Sequence, residues 1–176
     1  MAYDNIDNLD SLRRLVEELG RRISVLEDDL PTYIKSRDGA HPHIEHDSRG
    51  FHYVIVERGK ELRRVTTQDV DELLYLIFQD ITFGMACSYE VKHRIVGEDC
   101  RRQLFSYQLG LLEQLDFSWR RKREEQITNT LKDHPFDDLS MVRVDYCVHQ
   151  RNTTKLTEEE IWERACEKFP LPKVKS

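Results

Sequence analysis

Paired cysteines are missing from this chain. Cys87, Cys100, Cys147 and Cys166 include no C-x-x-C spacing, which argues against a zinc knuckle or a dithiol redox centre. Cys87 and Cys166 fall in helical patterns and are expected to fill a core. Glycine is scarce, and Gly59, Gly84 and Gly97 stand isolated, so the sequence has no phosphate-cradling loop. It has no G-x-S-x-G turn for a nucleophilic serine. No apolar run reaches the ~20 residues that a membrane helix needs. Positive charge is not in excess either: the net charge is -6, and a general nucleic-acid binder needs a basic footprint. Met1 to Asp10 is polar and acidic, with no signal or lipidation pattern. The expected compartment is a reducing cytoplasm.

What is present suits a globular protein. Charged residues make up 34% and apolar residues 39% of 176, which predicts one domain spanning 1–176 with a real core. The two strongest apolar segments lie between Phe51 and Arg94 and differ in period. In Phe51 to Arg58, aromatic and β-branched residues occupy both faces of an extended chain, so the reading is an interior strand covered on both sides. Gly59 supplies a tight turn, and Glu61 to Val65 returns as an edge-like strand. His43 to Asp47 precedes it as a third strand, beginning after Pro42.

At Thr66 the period becomes helical. Thr66 is expected to cap a helix, with Asp69 completing the box. Val70, Leu74, Ile77, Ile81 and Met85 follow at helical spacing, and Leu73, Leu76, Phe78 and Phe83 widen the stripe to a buried helix. Asp7 to Val25, Asp99 to Leu115 and Trp119 to Leu131 read as further helices, the last capped by Ser118. Gly20 weakens the first or marks a break in it. Met141 to His149 alternates Val142, Val144, Tyr146 and Val148 with other residues. It reads as a fourth strand. Thr157 to Glu160 is a second capping box opening a terminal helix. The predicted class is α+β, a small antiparallel sheet of three to four strands packed against a buried central helix and flanking helices.

Two constellations could carry chemistry. His41, His43, Glu45 and Asp47 share one face of an extended strand, with His46 and His52 nearby, which opens a metal-dependent enzyme as an alternative. The second set is Glu57, Arg58, Asp71, Glu72, His93, Arg94, Arg101 and Arg102, which flank the apolar segments. These residues form either an ion-pair network or a recognition surface. Arg120 to Arg123 is a short basic run and reads as a solvated helix face.

The central stretch resembles the immunity protein 63 family of bacterial polymorphic toxin systems. Phe51-His52-Tyr53-Val54-Ile55-Val56-Glu57-Arg58-Gly59 and Asp71-Glu72-Leu73-Leu74-Tyr75 carry the resemblance. Phe83, Tyr89-Glu90, His93-Arg94, Asp99, Arg101-Arg102-Gln103-Leu104-Phe105 and His134-Pro135-Phe136 continue it. The similar region spans 12–138, leaving a strand–helix extension over 139–176. The resemblance implies a non-enzymatic antidote that binds a cognate toxin domain; no cofactor, metal, nucleic acid or membrane is expected beside it. Tyr53, Glu57, Arg58, Asp71, Glu72, His93, Arg94 and Arg101 are the expected partner contacts. Asp28-Asp29, Asp137-Asp138 and Glu158-Glu159-Glu160 would complement a basic toxin. A protein-interaction module unrelated to toxins is a further alternative.

Overall fold

Strand and helix form where the two apolar segments change period. The computed structural model describes residue 3 and residues 6–173. In chain order the elements are α1 (Leu9–Arg22), a short 3-10 turn (Glu27–Asp29), β1 (Thr32–Tyr33), β2 (Pro42–Asp47), β3 (Gly50–Glu57) and β4 (Lys60–Thr67). Then come α2 (Val70–His93), α3 (Cys100–Leu115), α4 (Phe117–Asp133), α5 (Ser140–Thr153) and α6 (Glu158–Lys168). The class is α+β, as the pattern indicates. The chain divides into two compact units, Met1–Met85 with Gly110–Arg120, and Ala86–Leu109 with Arg121–Ser176.

The first unit holds the sheet, in the order β1-β2-β3-β4. Strands β2, β3 and β4 form the expected antiparallel meander, with Ile44 opposite Tyr53 and Tyr53 opposite Val65. Phe51, His52, Tyr53 and Val54 are all buried, so both faces of β3 are covered over this stretch. Gly50 turns the first hairpin with φ +123°, and a Cβ there would lie 2.5 Å from the Thr67 carbonyl oxygen. Only glycine fits that approach. Strand β4 is exposed along most of its length. Its charged residues and an irregular register opposite Ile55 and Val56 keep this edge from templating another strand.

The fourth strand is not the expected one. Thr32 and Tyr33 pair with His43 and Ile44, parallel to β2, which makes the sheet mixed. Met141 to His149 lies instead in α5. The reason is visible in its burial. Arg143, Tyr146, Cys147 and Gln150 turn inward at helical spacing, while Met141, Val142, Val144 and Val148 are exposed. The apolar alternation tracked residues that face solvent. The extension is therefore two helices.

Helix α2 is the buried helix of the reading. Leu73, Leu74, Ile77, Phe78 and Ile81 are buried, and Val70 is half-buried. The start of α2 lies further on than expected. Thr66 stays in β4, and Asp69 Oδ1 accepts from the Asp71 and Glu72 N–H groups at 2.9 and 3.4 Å. Asp69 wins because it stands immediately before Val70, where the backbone has left the strand and the helix begins. Trp119 stacks on Phe78 with centroids 5.9 Å apart, and its indole N–H donates to Asp71 at 3.0 Å. Asp116 caps α4, accepting from Ser118 N–H at 2.7 Å. Ser118 lies inside the helix. In α1, Leu12, Val16 and Leu19 form the buried stripe, and the helix runs through Gly20 without a break.

In the second unit α6 opens with the expected capping box between Thr157 and Glu160. A knot of buried charge sits beside the α3 start. Asp99 accepts from Arg101 Nη2 at 2.6 Å and from the Asp137 N–H at 2.7 Å, while its own N–H donates to Asp138 at 2.8 Å. Arg101 also reaches the carbonyls of His134 and Pro135. Arg143, 1% exposed, donates to Asp137 and to the Phe169 carbonyl. Arg102 holds Asp138 with two bonds of 2.9 Å and lies over the Phe136 ring. Burial pushes the Asp99 carboxyl up, but Arg101 and the backbone donors outweigh it and hold it at about 2.

Candidate partner-binding surface

The residues expected to contact a partner fall into two groups. Tyr53, Glu57, Arg58, Asp71 and Glu72 belong to the first unit, and His93, Arg94 and Arg101 to the second. Tyr53 is wholly enclosed and donates its hydroxyl to Asp80. Burial and the Asp80 carboxylate raise its pKa and keep the phenol protonated. Glu57 is half-buried, and Arg58 is exposed at the hairpin tip with φ +51°. Asp71 receives the Trp119 indole, and Glu72 receives the Thr67 hydroxyl at 2.7 Å. His93 is exposed, stacked 4.1 Å from Tyr89, which in turn stacks 4.0 Å from Tyr107. Arg94 clamps the buried Glu90 with bonds of 2.7 and 2.9 Å. Arg101 is engaged in the Asp99 knot. Arg58, Glu72, His93 and Arg94 are the members open to solvent.

The histidines of the first hairpin go to separate partners. His41 accepts from Arg37 at Nδ1 and donates Nε2–H to the Leu30 carbonyl at 2.9 Å. Burial and the Arg37 charge lower its pKa, which favours that neutral ring. His43 lies 3.1 Å from Glu45, which Arg64 holds from the other side at 2.7 Å. His52 bonds Thr66 and lies 3.0 Å from Asp47. His46 stacks on Phe51. Among the described residues no three His, Cys, Asp or Glu side chains are grouped to hold a metal ion. Of the acidic runs, Asp28-Asp29 stays open, with Asp28 only approaching Arg37 at 3.8 Å, while the other two are largely engaged. Asp137 and Asp138 serve the knot, Glu158 pairs with Arg151, and Glu160 caps its helix.

The first unit has a groove that the sequence reading did not single out. It has a volume of about 490 Å3 and lies between α1 and the segment from Glu27 to Arg37. Arg13 and Glu17 line it from α1 and pair at 3.5 Å. Asp28 and Arg37 line it from the segment and approach to 3.8 Å. Arg13 lies over the Tyr33 ring, 5.1 Å from its centroid. The Tyr33 hydroxyl is buried and has no hydrogen-bond partner. Burial raises the Tyr33 pKa, with Arg13 opposing, so the phenol is protonated. Next to it, Ile34 takes φ +68° while its side chain is 69% exposed. That conformation is rare for a β-branched residue. The only cue in the sequence was the exit from α1 at Leu30-Pro31-Thr32-Tyr33. Neither a missing hydrogen-bond partner nor a left-handed isoleucine leaves a mark in residue order.

Comparison with known proteins adds one finding. The family model described as Immunity protein 63 matches residues 47–129. The match runs from the end of β2 through β3, β4, α2 and α3 into α4. It covers just under half the chain and lies inside the expected 12–138 region. Nothing matches among curated proteins or among solved structures.

Proposed function

With residues 47–129 belonging to the immunity protein 63 family, we propose that this protein binds a cognate bacterial toxin domain and neutralises it without catalysis. The family match is the observation that carries this reading. The geometry supports it. Most titratable groups of the hairpin and of the knot are engaged within the chain, as in His43 with Glu45, Arg101 with Asp99 and Arg102 with Asp138. Exposed Met141, Val144, Val148 and Trp162 on α5 and α6 add apolar surface of the kind that interaction faces use.

Among the expected contacts, Arg58, Glu72, His93 and Arg94 are the ones offered to the toxin. Tyr53 acts within the first unit, fixing the sheet through its hydroxyl bond to Asp80. The chain works as a single domain, since α2, α3 and α4 each contribute residues to both compact units. The protein acts in the cytoplasm. In support, all four cysteines are free, and no described helix is long and apolar enough to cross a membrane.

Co-expression with the toxin encoded beside it should restore growth and yield a complex that survives gel filtration. Growth arrest despite abundant folded protein would refute the reading. The metal-enzyme alternative meets a separate check. Elemental analysis of untagged protein should give no more than trace metal, and a stoichiometric ion would revive it.

A further inference from the structure

Helices α5 and α6 carry an exposed apolar face with an acidic rim. The Arg151–Glu158 bond joins the end of α5 to the start of α6. Arg143, near the start of α5, donates to the Phe169 carbonyl at the end of α6. The two helices therefore run antiparallel. Met141, Val144 and Val148 recur at helical spacing on α5, and Glu159, Trp162 and Glu163 share one face of α6. Val148 stands one turn back from Arg151, and Trp162 one turn on from Glu158. Both residues thus flank the same side of the helix pair. Met141, Val144, Val148 and Trp162 are each about half exposed. Apolar surface gathered around a tryptophan has the composition of a binding hot spot.

The rim narrows the occupant. Asp145 borders the stripe on α5, and Glu159 and Glu163 border Trp162 on α6; all three are exposed. Among the described residues none of these three carboxylates has an ion pair or hydrogen-bond partner. Arg151, which follows Val148 by one turn, is already held by Glu158. The face is therefore apolar in the middle and negative at its edge. An indole with carboxylates beside it suits an Arg or Lys side chain, because the ring attracts the cation and the acids supply the countercharge. A second copy laid on this face would bring one acidic rim against another.

We propose that the α5–α6 face docks a basic surface of the toxin, with apolar toxin side chains against Met141, Val144 and Val148 and a toxin Arg or Lys over Trp162, between Glu159 and Glu163. This inference rests on the toxin-binding reading. It adds that recognition uses residues outside the family-matched 47–129 stretch.

The test is calorimetric titration of the full chain with a catalytically inactivated toxin domain from the neighbouring gene, at low and at physiological salt. Trp162→Ala should bind about tenfold more weakly. The double variant Glu159→Gln with Glu163→Gln should bind about fivefold more weakly and lose much of the salt dependence. Each should melt within about 2 °C of the natural protein, since the side chains are exposed. Hydrogen exchange of the natural complex should show new protection over 141–163. Unchanged affinity in both variants, or protection confined to other segments, overturns this face while leaving toxin binding intact. Natural affinity that is indifferent to salt overturns the basic partner. A dimer of this chain that Trp162→Ala dissociates shows a second copy on the face and also overturns the proposal. No binding by the natural protein overturns both the face and the toxin-binding reading.

Discussion

The Asp99 knot pairs its carboxylates and leaves Arg143 Nε without a partner, whereas the Tyr33 groove leaves its one buried phenol unpaired. In the knot, Asp99, Arg101, Asp137, Asp138 and Arg143 are drawn from distant points of the chain, and the carboxylates meet guanidinium or backbone donors. At the groove, a phenol is buried with no partner, and the next residue along the chain, an isoleucine outside the lining, takes a left-handed conformation. The first arrangement specifies a fold. The second leaves a buried hydroxyl and a backbone torsion uncompensated within the chain. Asp99 and Arg101, two of the residues that carry the family resemblance, lie in the knot. Their identity therefore speaks for the scaffold more than for the partner.

The contrast can be broken most sharply in the knot. Asp137→Ala leaves the buried Arg143 guanidinium without its carboxylate and should cost about 3 kcal/mol in urea unfolding. A loss below about 1 kcal/mol would show that the knot is ornamental. Acid should act on the same place. The folded pKa of Asp99, about 2, lies below its ordinary 3.8. Its stabilisation is then complete above pH 3.8 and is lost as pH falls through 2. Asp99→Asn should flatten stability across that window, and an unchanged acid limb would contradict the pairing.

The groove should respond with the opposite sign. Ile34→Gly should raise stability by about 1 kcal/mol, because glycine accepts the left-handed backbone without strain. Tyr33→Phe should be neutral or raise it by up to about 1 kcal/mol. A fall in either would mean that the groove is packed for stability after all. Smallest of all, Arg151→Ala should change stability by less than about 0.5 kcal/mol, since its bond to Glu158 is exposed on both sides.

Much of the scaffold was legible in residue order. Val54 and Tyr53 on alternate faces announced a covered strand, and Leu74, Ile77 and Ile81 announced a buried helix. Both signals are periodic, local and apolar. Residues 140–153 failed for a physical reason: the inward stripe is Arg143, Tyr146, Cys147 and Gln150, and the valines face water. A pattern rule that equates apolar with buried reads such a helix as a strand. Caps slipped by a few residues, from Thr66 to Asp69 and from Ser118 to Asp116, because several adjacent side chains could accept the same N–H groups. Of the surface, the exposed Arg58 and His93 were within reach of sequence reasoning. Tyr33 and Ile34 were not, because their interest lies in a missing partner and a torsion angle.

Neutralisation itself is tested most directly by growth. Cells expressing the neighbouring toxin are scored with and without this protein, with soluble folded protein verified in both the rescued and the failed cultures. The account predicts restored growth in proportion to complex formed. Continued killing in the presence of excess folded protein would contradict it.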